Sequence, residues 1–276
     1  MSIAKERICL YSSLHCGRSS SREIITDAAA LGVGGVELMN FCDELRQPDR
    51  AAARQLGAYA RSLGLAIPCF SLAADVYADP AGVTDYVLRY AEICAELEIP
   101  YLHHTVAINI SVPDLTEAER RDRFDRCAGH VLRIGERARA LGVRTLIEDQ
   151  GFVFNGVESC LSLCRLSGGE IRLVADIGNI LFVDEKPEDF IRTAGDLICH
   201  AHIKDYSRQS VPHEGQTSYR TRGGQYIADT ELGCGVVDLP AVKAAFDSIG
   251  YTGMYAMEFT PRTPGELDRA LGRFME

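Results

Sequence analysis

The amino-acid sequence predicts an α/β protein, a single (β/α)8 TIM barrel that forms one domain over residues 1–276. Short apolar runs alternate eight times with longer amphipathic segments, a pattern typical of parallel strands connected by helices. No linker or shift in composition interrupts this repeat, and the length suits such a barrel. A doubly wound open sheet fits less well, because residues 14–18 lack a glycine-rich phosphate-binding turn.

Local signals predict the elements in chain order. Ser20 or Ser21 caps the first helix, Pro80 suits the first turn of the third, and Thr116 with Glu119 has the spacing of a capping box. Glycines follow several of the helices, where they favour termination. The predicted strands span residues 8–12, 33–39, 65–72, 100–106, 143–148, 171–176, 198–203 and 254–259. The predicted helices span residues 19–31, 49–63, 80–97, 116–141, 156–167, 187–194, 238–249 and 264–275.

One connection is much longer than the others. Residues 204–237 follow the seventh strand and contain several glycines. Loops of this length within a compact domain are usually functional. Because the segment follows a strand, it lies at the catalytic face of a barrel. We therefore expect a long loop after strand 7 that acts as a lid or binds substrate.

Composition and charge restrict the classes of partner. The formal net charge is −10, and no run of lysine and arginine forms a basic stripe. The charge therefore disfavours nucleic acid and anionic membrane surfaces as partners. The ten cysteines have no paired spacing, so we expect reduced thiols in a cytoplasmic protein. No signal peptide or apolar run of membrane-spanning length is apparent.

Four consecutive predicted strands end in side chains that bind metals. These are Glu148, Asp176, His202 and Glu258. Buried carboxylates are costly unless they are paired or bind a cation. An oxygen-rich set with one imidazole suits a single Mn²⁺, Mg²⁺ or Co²⁺ ion, with Zn²⁺ as a further option. The alternative is that the four residues are separate salt-bridge partners at strand ends.

Several motifs resemble those of the sugar phosphate isomerase/epimerase superfamily, the xylose isomerase-like TIM barrels. They are LIE at 146–148, ADIGN at 175–179, HAHIKD at 200–205, GCGVVD at 233–238, IGYTG at 249–253 and MEF at 257–259. The first half of the chain matches only in its strand–helix rhythm and in GVEL at 35–38. The resemblance implies one divalent metal bound by the four residues at the strand ends.

The resemblance also suggests residues that bind substrate. Arg208 would contact substrate oxygens, although a solvated loop position is an alternative. Glu37 either faces the substrate or forms a structural ion pair. His103 and His104 are adjacent, so strand alternation sends only one of them inward. We list His104 with the substrate-binding candidates, and the sequence does not decide which of the two histidines faces the site.

The chain also departs from the superfamily pattern. Asn179 stands where many sugar epimerases have a histidine, and Phe154 stands where ketose epimerases place a substrate-binding glutamate. Asparagine can hydrogen-bond a substrate oxygen, but it cannot carry a proton. We list Asn179 with the substrate-binding candidates. Both differences weigh against a standard ketose 3-epimerase.

The residues suggest a metal-dependent isomerase or epimerase of a ketose-like or keto-polyol substrate. Glu148 and Glu258 would serve as acid and base around an enolate, in addition to binding the metal. The main alternative is a dehydratase or lyase that acts on an inosose, a 3-keto-sugar or a keto-glycoside. An endonuclease of the abasic-site type, a carbohydrate-binding protein without activity, and a Schiff-base aldolase using Lys204 are weaker alternatives. The expected partner is a small carbohydrate or polyol, and a homo-oligomer is compatible with the sequence.

Overall fold

Eight parallel strands close into a barrel in this computed structural model, which describes residues 2–11, 20–41, 43–107 and 113–276. The strands are β1 (Ile8–Tyr11), β2 (Gly35–Met39), β3 (Cys69–Leu72), β4 (Tyr101–His104), β5 (Arg144–Glu148), β6 (Arg172–Asp176), β7 (Ile198–Ile203) and β11 (Tyr255–Met257). They pair in chain order, and β11 closes the barrel between β7 and β1. The predicted (β/α)8 barrel is confirmed. The last residue of the predicted first strand and the first residue of the predicted first helix lie outside the described residues.

Eight α-helices occur in the described part of the chain. They are α1 (Ser21–Leu31), α2 (Arg50–Ser62), α3 (Pro80–Glu96), α4 (Glu117–Ala140), α5 (Val157–Leu166), α6 (Pro187–Ala194), α7 (Leu239–Ser248) and α8 (Glu266–Met275). Ser20 caps α1, and the capping box of Thr116 and Glu119 begins α4. Gly32 ends α1 with a φ of 69°, a conformation that favours glycine. None of these helices is long and apolar enough to cross a membrane.

The segment after β7 is more ordered than a simple loop. It forms an antiparallel sheet of β8 (Asp205–Gln209), β9 (Tyr219–Arg220) and β10 (Tyr226–Thr230), with β10 in the middle. Asp205 connects this added sheet to the segment before α7, since its carboxylate accepts the amide N–H groups of Gly233, Gly235 and Val237 at 2.8–3.1 Å. The long insertion after strand 7 is therefore present, and it is built as a sheet.

The core lies in two regions. Apolar faces of the helices pack against the outside of the barrel in one large cluster. Inside the barrel, small groups such as Cys69, Leu146 and Val174 fill the lower layers. The upper layer contains polar and ionisable side chains, which position the candidate site.

Candidate functional site

Four strands bring acidic and imidazole side chains to one end of the barrel interior. Glu148 ends β5, Asp176 ends β6, His202 lies on β7, and Glu258 directly follows β11. Asp176 and His202 are paired in register, and His202 is paired with Ala256 on the other side. Parallel strands end at the same edge of a sheet, so these residues meet at the carboxyl end, where barrels of this type carry their active sites.

The four side chains are in close contact around the His202 imidazole. Its Nδ1 atom lies 2.7 Å from both Glu148 Oε1 and Glu258 Oε2, and 4.0 Å from Asp176 Oδ2. One ligand atom from each of the four residues lies within 4.8 Å of all the others. The Glu258 side chain is 12% exposed, whereas the His202 side chain is fully buried. We call this group the four-residue cluster.

The donor set of this cluster fits a divalent metal ion. The Asp176 Oδ1 atom accepts the N–H groups of Gly178 and Asn179, which leaves Oδ2 directed to the cluster. Asp176 Oδ2 and Glu258 Oε2 are buried, and their nearest cationic groups are Lys204 Nζ at 2.6 Å and His202 Nδ1 at 2.7 Å, respectively. Such atoms are costly unless a cation compensates them. Three carboxylates and one imidazole suit a hard or borderline divalent ion.

Lys204 adds a positive charge beside the cluster. Its Nζ atom lies 2.6 Å from Asp176 Oδ2 and 3.3 Å from Glu258 Oε1. Burial opposes the charge on this ammonium, but the two carboxylates outweigh burial and raise the pKa of Lys204 well above its usual value. Lys204 therefore stabilises the two carboxylates in this state of the protein.

The pKa values in the cluster follow from its carboxylates. Burial disfavours a charged imidazole, but Glu37 and Glu258 outweigh it and raise the pKa of His202 well above its usual value. Burial also opposes ionisation of Glu148, yet hydrogen bonding to His202 and the charge of His103 lower the pKa of that carboxyl. A bound metal would take the place of the proton on Nδ1 of His202.

Glu37 lies beneath the cluster, at the centre of a second polar network. It is fully buried on β2 and accepts from His200 Nε2 at 2.7 Å and from His202 Nε2 at 3.2 Å. Ser71 on β3 donates to the same carboxylate and lies 2.8 Å from His103 Nδ1. Of the two roles that the sequence left open for Glu37, this geometry favours the structural ion pair over substrate contact.

The structure decides which histidine of β4 faces the barrel interior. The His103 ring lies against that of His202, with ring centroids 5.4 Å apart, and its Nε2 is 3.7 Å from Glu148 Oε2. Side chains of a strand alternate between its two faces, so His104 points away from the cluster. Its Nδ1–H donates to the carbonyl of Thr105, and burial lowers the pKa of His104 to about 4. This corrects the expectation for His104, and His103 is the histidine of β4 that faces the cluster.

The two remaining substrate-binding candidates occupy different environments. Asn179 is buried next to Asp176, and its side-chain Nδ2 has no partner among the described residues. Arg208 lies on β8, opposite Ile227 of β10, and is exposed. In the described ranges no hydrogen bond or ion pair joins Arg208 to the cluster. The structure therefore keeps Asn179 near the site, whereas Arg208 corresponds to the solvated alternative.

Sequence reasoning missed three side chains close to the site. Tyr11 ends β1 with its ring centroid 5.0 Å from that of His202. Ser71 bridges two histidine-containing networks, and Asp149 accepts the N–H of Asp176 at 2.8 Å. Tyr11 and Ser71 lie on inward-facing positions near strand ends, so alternation along β1 and β3 was the available signal. Asp149 had no such signal, because it follows the end of its strand.

Comparison with known proteins identifies the fold and the family. No curated protein matches the sequence significantly, but residues 25–275 match the family model of the xylose isomerase-like TIM barrel. A xylose isomerase domain protein from Planctomyces limnophilus superposes with a TM-score of 0.73 at 13% identity, covering 96% of this chain and 92% of that one. A 3-keto-D-glucoside 4-epimerase from E. coli gives 0.73 at 12% identity and covers 96% of both chains.

A third similar structure is a candidate 3-DHS dehydratase from Bacillus anthracis. Its TM-score is 0.69 at 16% identity, with 98% of this chain and 97% of that one covered. Identities this low show a shared fold and leave the reaction open. The match to the family model covers most of the sequence. The chain therefore belongs to the xylose isomerase-like TIM barrel family.

Proposed function

We propose that the protein is a divalent-metal-dependent sugar isomerase or epimerase that acts on a ketose-like or keto-polyol substrate. The observation that carries this proposal is the convergence of Glu148, Asp176, His202 and Glu258 at the carboxyl end of the barrel. Mn²⁺, Mg²⁺ and Co²⁺ suit this donor set best. When bound, the metal would polarise the substrate carbonyl and stabilise the enolate formed when the neighbouring proton leaves.

Glu148 and Glu258 are the proposed acid and base. They come from β5 and β11, which are separated in the barrel by β6 and β7. The two carboxylates therefore approach the His202 Nδ1 atom from different directions, each at 2.7 Å. This arrangement suits removal of a proton from one face of a carbon and its return to the other. Glu258 is the more exposed of the two, so it is the better placed to reach a bound substrate.

The remaining residues of the site would hold and orient the substrate. The Nδ2 of Asn179, for which the described part of the chain offers no partner, can donate to a substrate hydroxyl or carbonyl. Lys204 can neutralise negative charge near Glu258. His103 faces His202 from β4, which is the neighbour of β5 in the barrel.

Solvent-deuterium exchange tests this function. The protein would be loaded with Mn²⁺ and incubated in D2O with a panel of ketoses, inososes and keto-glycosides, and the products analysed by NMR and mass spectrometry. We expect deuterium at the carbon next to the carbonyl without net loss of water. Glu258→Gln should reduce the exchange at least 100-fold. Glu185→Gln is the matched control, since Glu185 accepts the Val157 N–H at 2.9 Å and plays no part in the cluster.

Wild-type exchange rates in Glu258→Gln with metal bound would contradict the role of Glu258. Absence of exchange for the whole panel would contradict the proposed function.

A dehydratase or lyase is the second candidate, and two observations favour it. Asn179 replaces the histidine expected in sugar epimerases, and Lys204 places an ammonium group beside Glu258. An enolate can expel a hydroxyl or glycosyl group from the next carbon when a cationic group faces the leaving oxygen. Loss of water or of an aglycone in the same panel would indicate this reaction and exclude a simple epimerase.

Two other candidates receive less support. A Schiff-base aldolase needs a neutral amine, but Asp176 and Glu258 hold Lys204 as an ammonium ion. Borohydride reduction with a carbonyl substrate should therefore leave Lys204 unlabelled. An endonuclease needs a basic surface for its nucleic acid, and the net charge of −10 opposes this.

A further inference from the structure

A cavity of about 360 Å³ extends from the four-residue cluster toward the added sheet. Its lining includes Glu258, Lys204 and Arg262, which follows β11. Pockets that hold drug-sized molecules have volumes of about 300–1,000 Å³. Of the four cluster residues, Glu258 is the one that lines this cavity. The cavity therefore provides room in addition to the space over the cluster itself.

Three aromatic side chains belong to the cavity wall. Tyr206 and Tyr219 come from the added sheet, and Phe259 follows Glu258. Phe182 packs behind both tyrosines, with its ring centroid 5.8 Å from Tyr206 and 5.3 Å from Tyr219. Within the described residues neither tyrosine hydroxyl has a hydrogen-bond partner. Rings with a free polar edge suit a ligand that is apolar on one side and hydroxylated on the other.

The tyrosine wall depends on a glycine of the ADIGN motif. A Cβ atom on Gly178 would lie 2.7 Å from Cγ of Lys204 and 2.8 Å from Cε2 of Tyr206. Only glycine lets both side chains pack this close to the strand end. The motif therefore contributes to the cavity as well as to the cluster.

The charges of the lining disfavour an anionic ligand. Four carboxylates line the cavity (Asp205, Asp229, Glu258 and Glu266), against two cations (Lys204 and Arg262). Arg262 is already engaged with the carbonyl of Asp229 at 2.6 Å and with Gln216 Oε1 at 3.2 Å. A phosphate group would meet net negative charge here, whereas a neutral ligand would not.

We propose that this cavity binds the aglycone of a neutral keto-glycoside. The keto-sugar ring would lie at the four-residue cluster, and the group attached to it would lie against Tyr219 and Phe259. This assignment rests on the proposed function, and among the substrates tested there it selects keto-glycosides over free ketoses and inososes. Specificity for the attached group would then come from the added sheet.

Binding of unreactive glycosides tests the cavity separately from the reaction. Phenyl β-D-glucoside and methyl β-D-glucoside differ in the attached group, and neither has a ketone. Titration calorimetry with the Mn²⁺-loaded and the metal-free protein would give both affinities. We expect phenyl glucoside to bind about tenfold more tightly than methyl glucoside, because its ring is buried against aromatic side chains.

Variants of the lining residues test whether the preference for phenyl glucoside arises in the cavity. Tyr219→Ala and Phe259→Ala should each reduce the ratio of the two affinities to less than about threefold, and Tyr219→Phe should retain it. Tyr226→Ala is the matched control, since Tyr226 lies on β10 and is not among the lining residues. Thermal unfolding of each variant would confirm that it is folded.

Equal affinities of the two glucosides, binding of neither, or a ratio that persists in both alanine variants would overturn the proposal. The two proposals fail separately. A phenyl preference without any proton exchange would overturn the proposed function alone, and exchange without a phenyl preference would overturn the cavity assignment alone.

Discussion

Replacement of Glu37 by glutamine should weaken metal binding although Glu37 is not one of the four cluster residues. His202 directs Nδ1 to Glu148 and Glu258, and directs Nε2 to Glu37 at 3.2 Å. An imidazole that binds a metal through Nδ1 must keep its proton on Nε2. A carboxylate acceptor at Nε2 fixes this tautomer and raises the basicity of the ligand.

The expected loss can be worked out from the contacts of Glu37. Its carboxylate serves His200, His202 and Ser71 together, and it has no exposure to solvent. In Glu37→Gln the amide has one oxygen, so the NH2 group must face one of these partners and the negative charge is lost. Loss of such an acceptor typically lowers metal affinity 10- to 100-fold, equivalent to about 1.4–2.8 kcal/mol.

Competition with a chromophoric chelator would measure the Mn²⁺ affinity of the wild type and of Glu37→Gln. Glu37→Asp should restore part of the affinity, because it restores the charge at a longer distance. Glu185→Gln removes a helix-capping carboxylate far from β2 in the sequence and controls for general loss of stability. Wild-type affinity in a folded Glu37→Gln would refute the reasoning.

Three further predictions concern the surroundings of the site. Lys204→Met should strengthen Mn²⁺ binding about tenfold in chelator competition, because the ammonium group no longer competes for Asp176 and Glu258; unchanged or weaker binding would contradict this. His104 has a pKa of about 4 in the folded protein and of about 6.5 in the unfolded chain. The protein should therefore lose about 3 kcal/mol of folding stability as the pH falls from 6.5 toward 4, because only the unfolded chain takes up the proton. In urea unfolding, the free energy of unfolding of His104→Asn should fall less steeply over this pH window than that of the wild type. Parallel pH profiles of the two proteins would exclude the effect. Asp205→Ala should lower the free energy of unfolding by at least about 3 kcal/mol, because three loop amides lose a charged acceptor; a loss below about 1 kcal/mol would show that other contacts hold the segment.

The sequence was sufficient for the barrel and for the four-residue cluster because both follow from short-range rules. Alternating apolar and amphipathic segments gave the strands and helices, and parallel pairing brings strand ends to one edge. Glu148, Asp176 and His202 each stand at or near the end of such a run. The bounds of all eight helices agreed with the predicted ones within two residues at each end.

The environments of single side chains were harder to predict, because they depend on contacts between distant residues. Glu37 meets His200 across 163 positions of sequence, so its role could not be read from β2 alone. Which of His103 and His104 faces the barrel interior depended on the register between β3 and β4, where Ser71 pairs with His103. The added sheet was expected as a loop, since β9 has only two residues and gives almost no pattern.

The contacts below and above the four-residue cluster indicate different roles for the barrel and for the insertion. Below the cluster, Glu37 and Ser71 fix the imidazoles through buried hydrogen bonds between barrel strands. Above it, the added sheet and the segment after β11 supply the cavity wall, and Asp205 anchors the segment that precedes α7. Substitutions below the cluster should therefore alter metal affinity for every substrate alike. Substitutions such as Tyr219→Ala should alter the preference among substrates and leave metal affinity unchanged. A variant of Tyr219 that lost metal binding while still folded would show that the two layers are coupled.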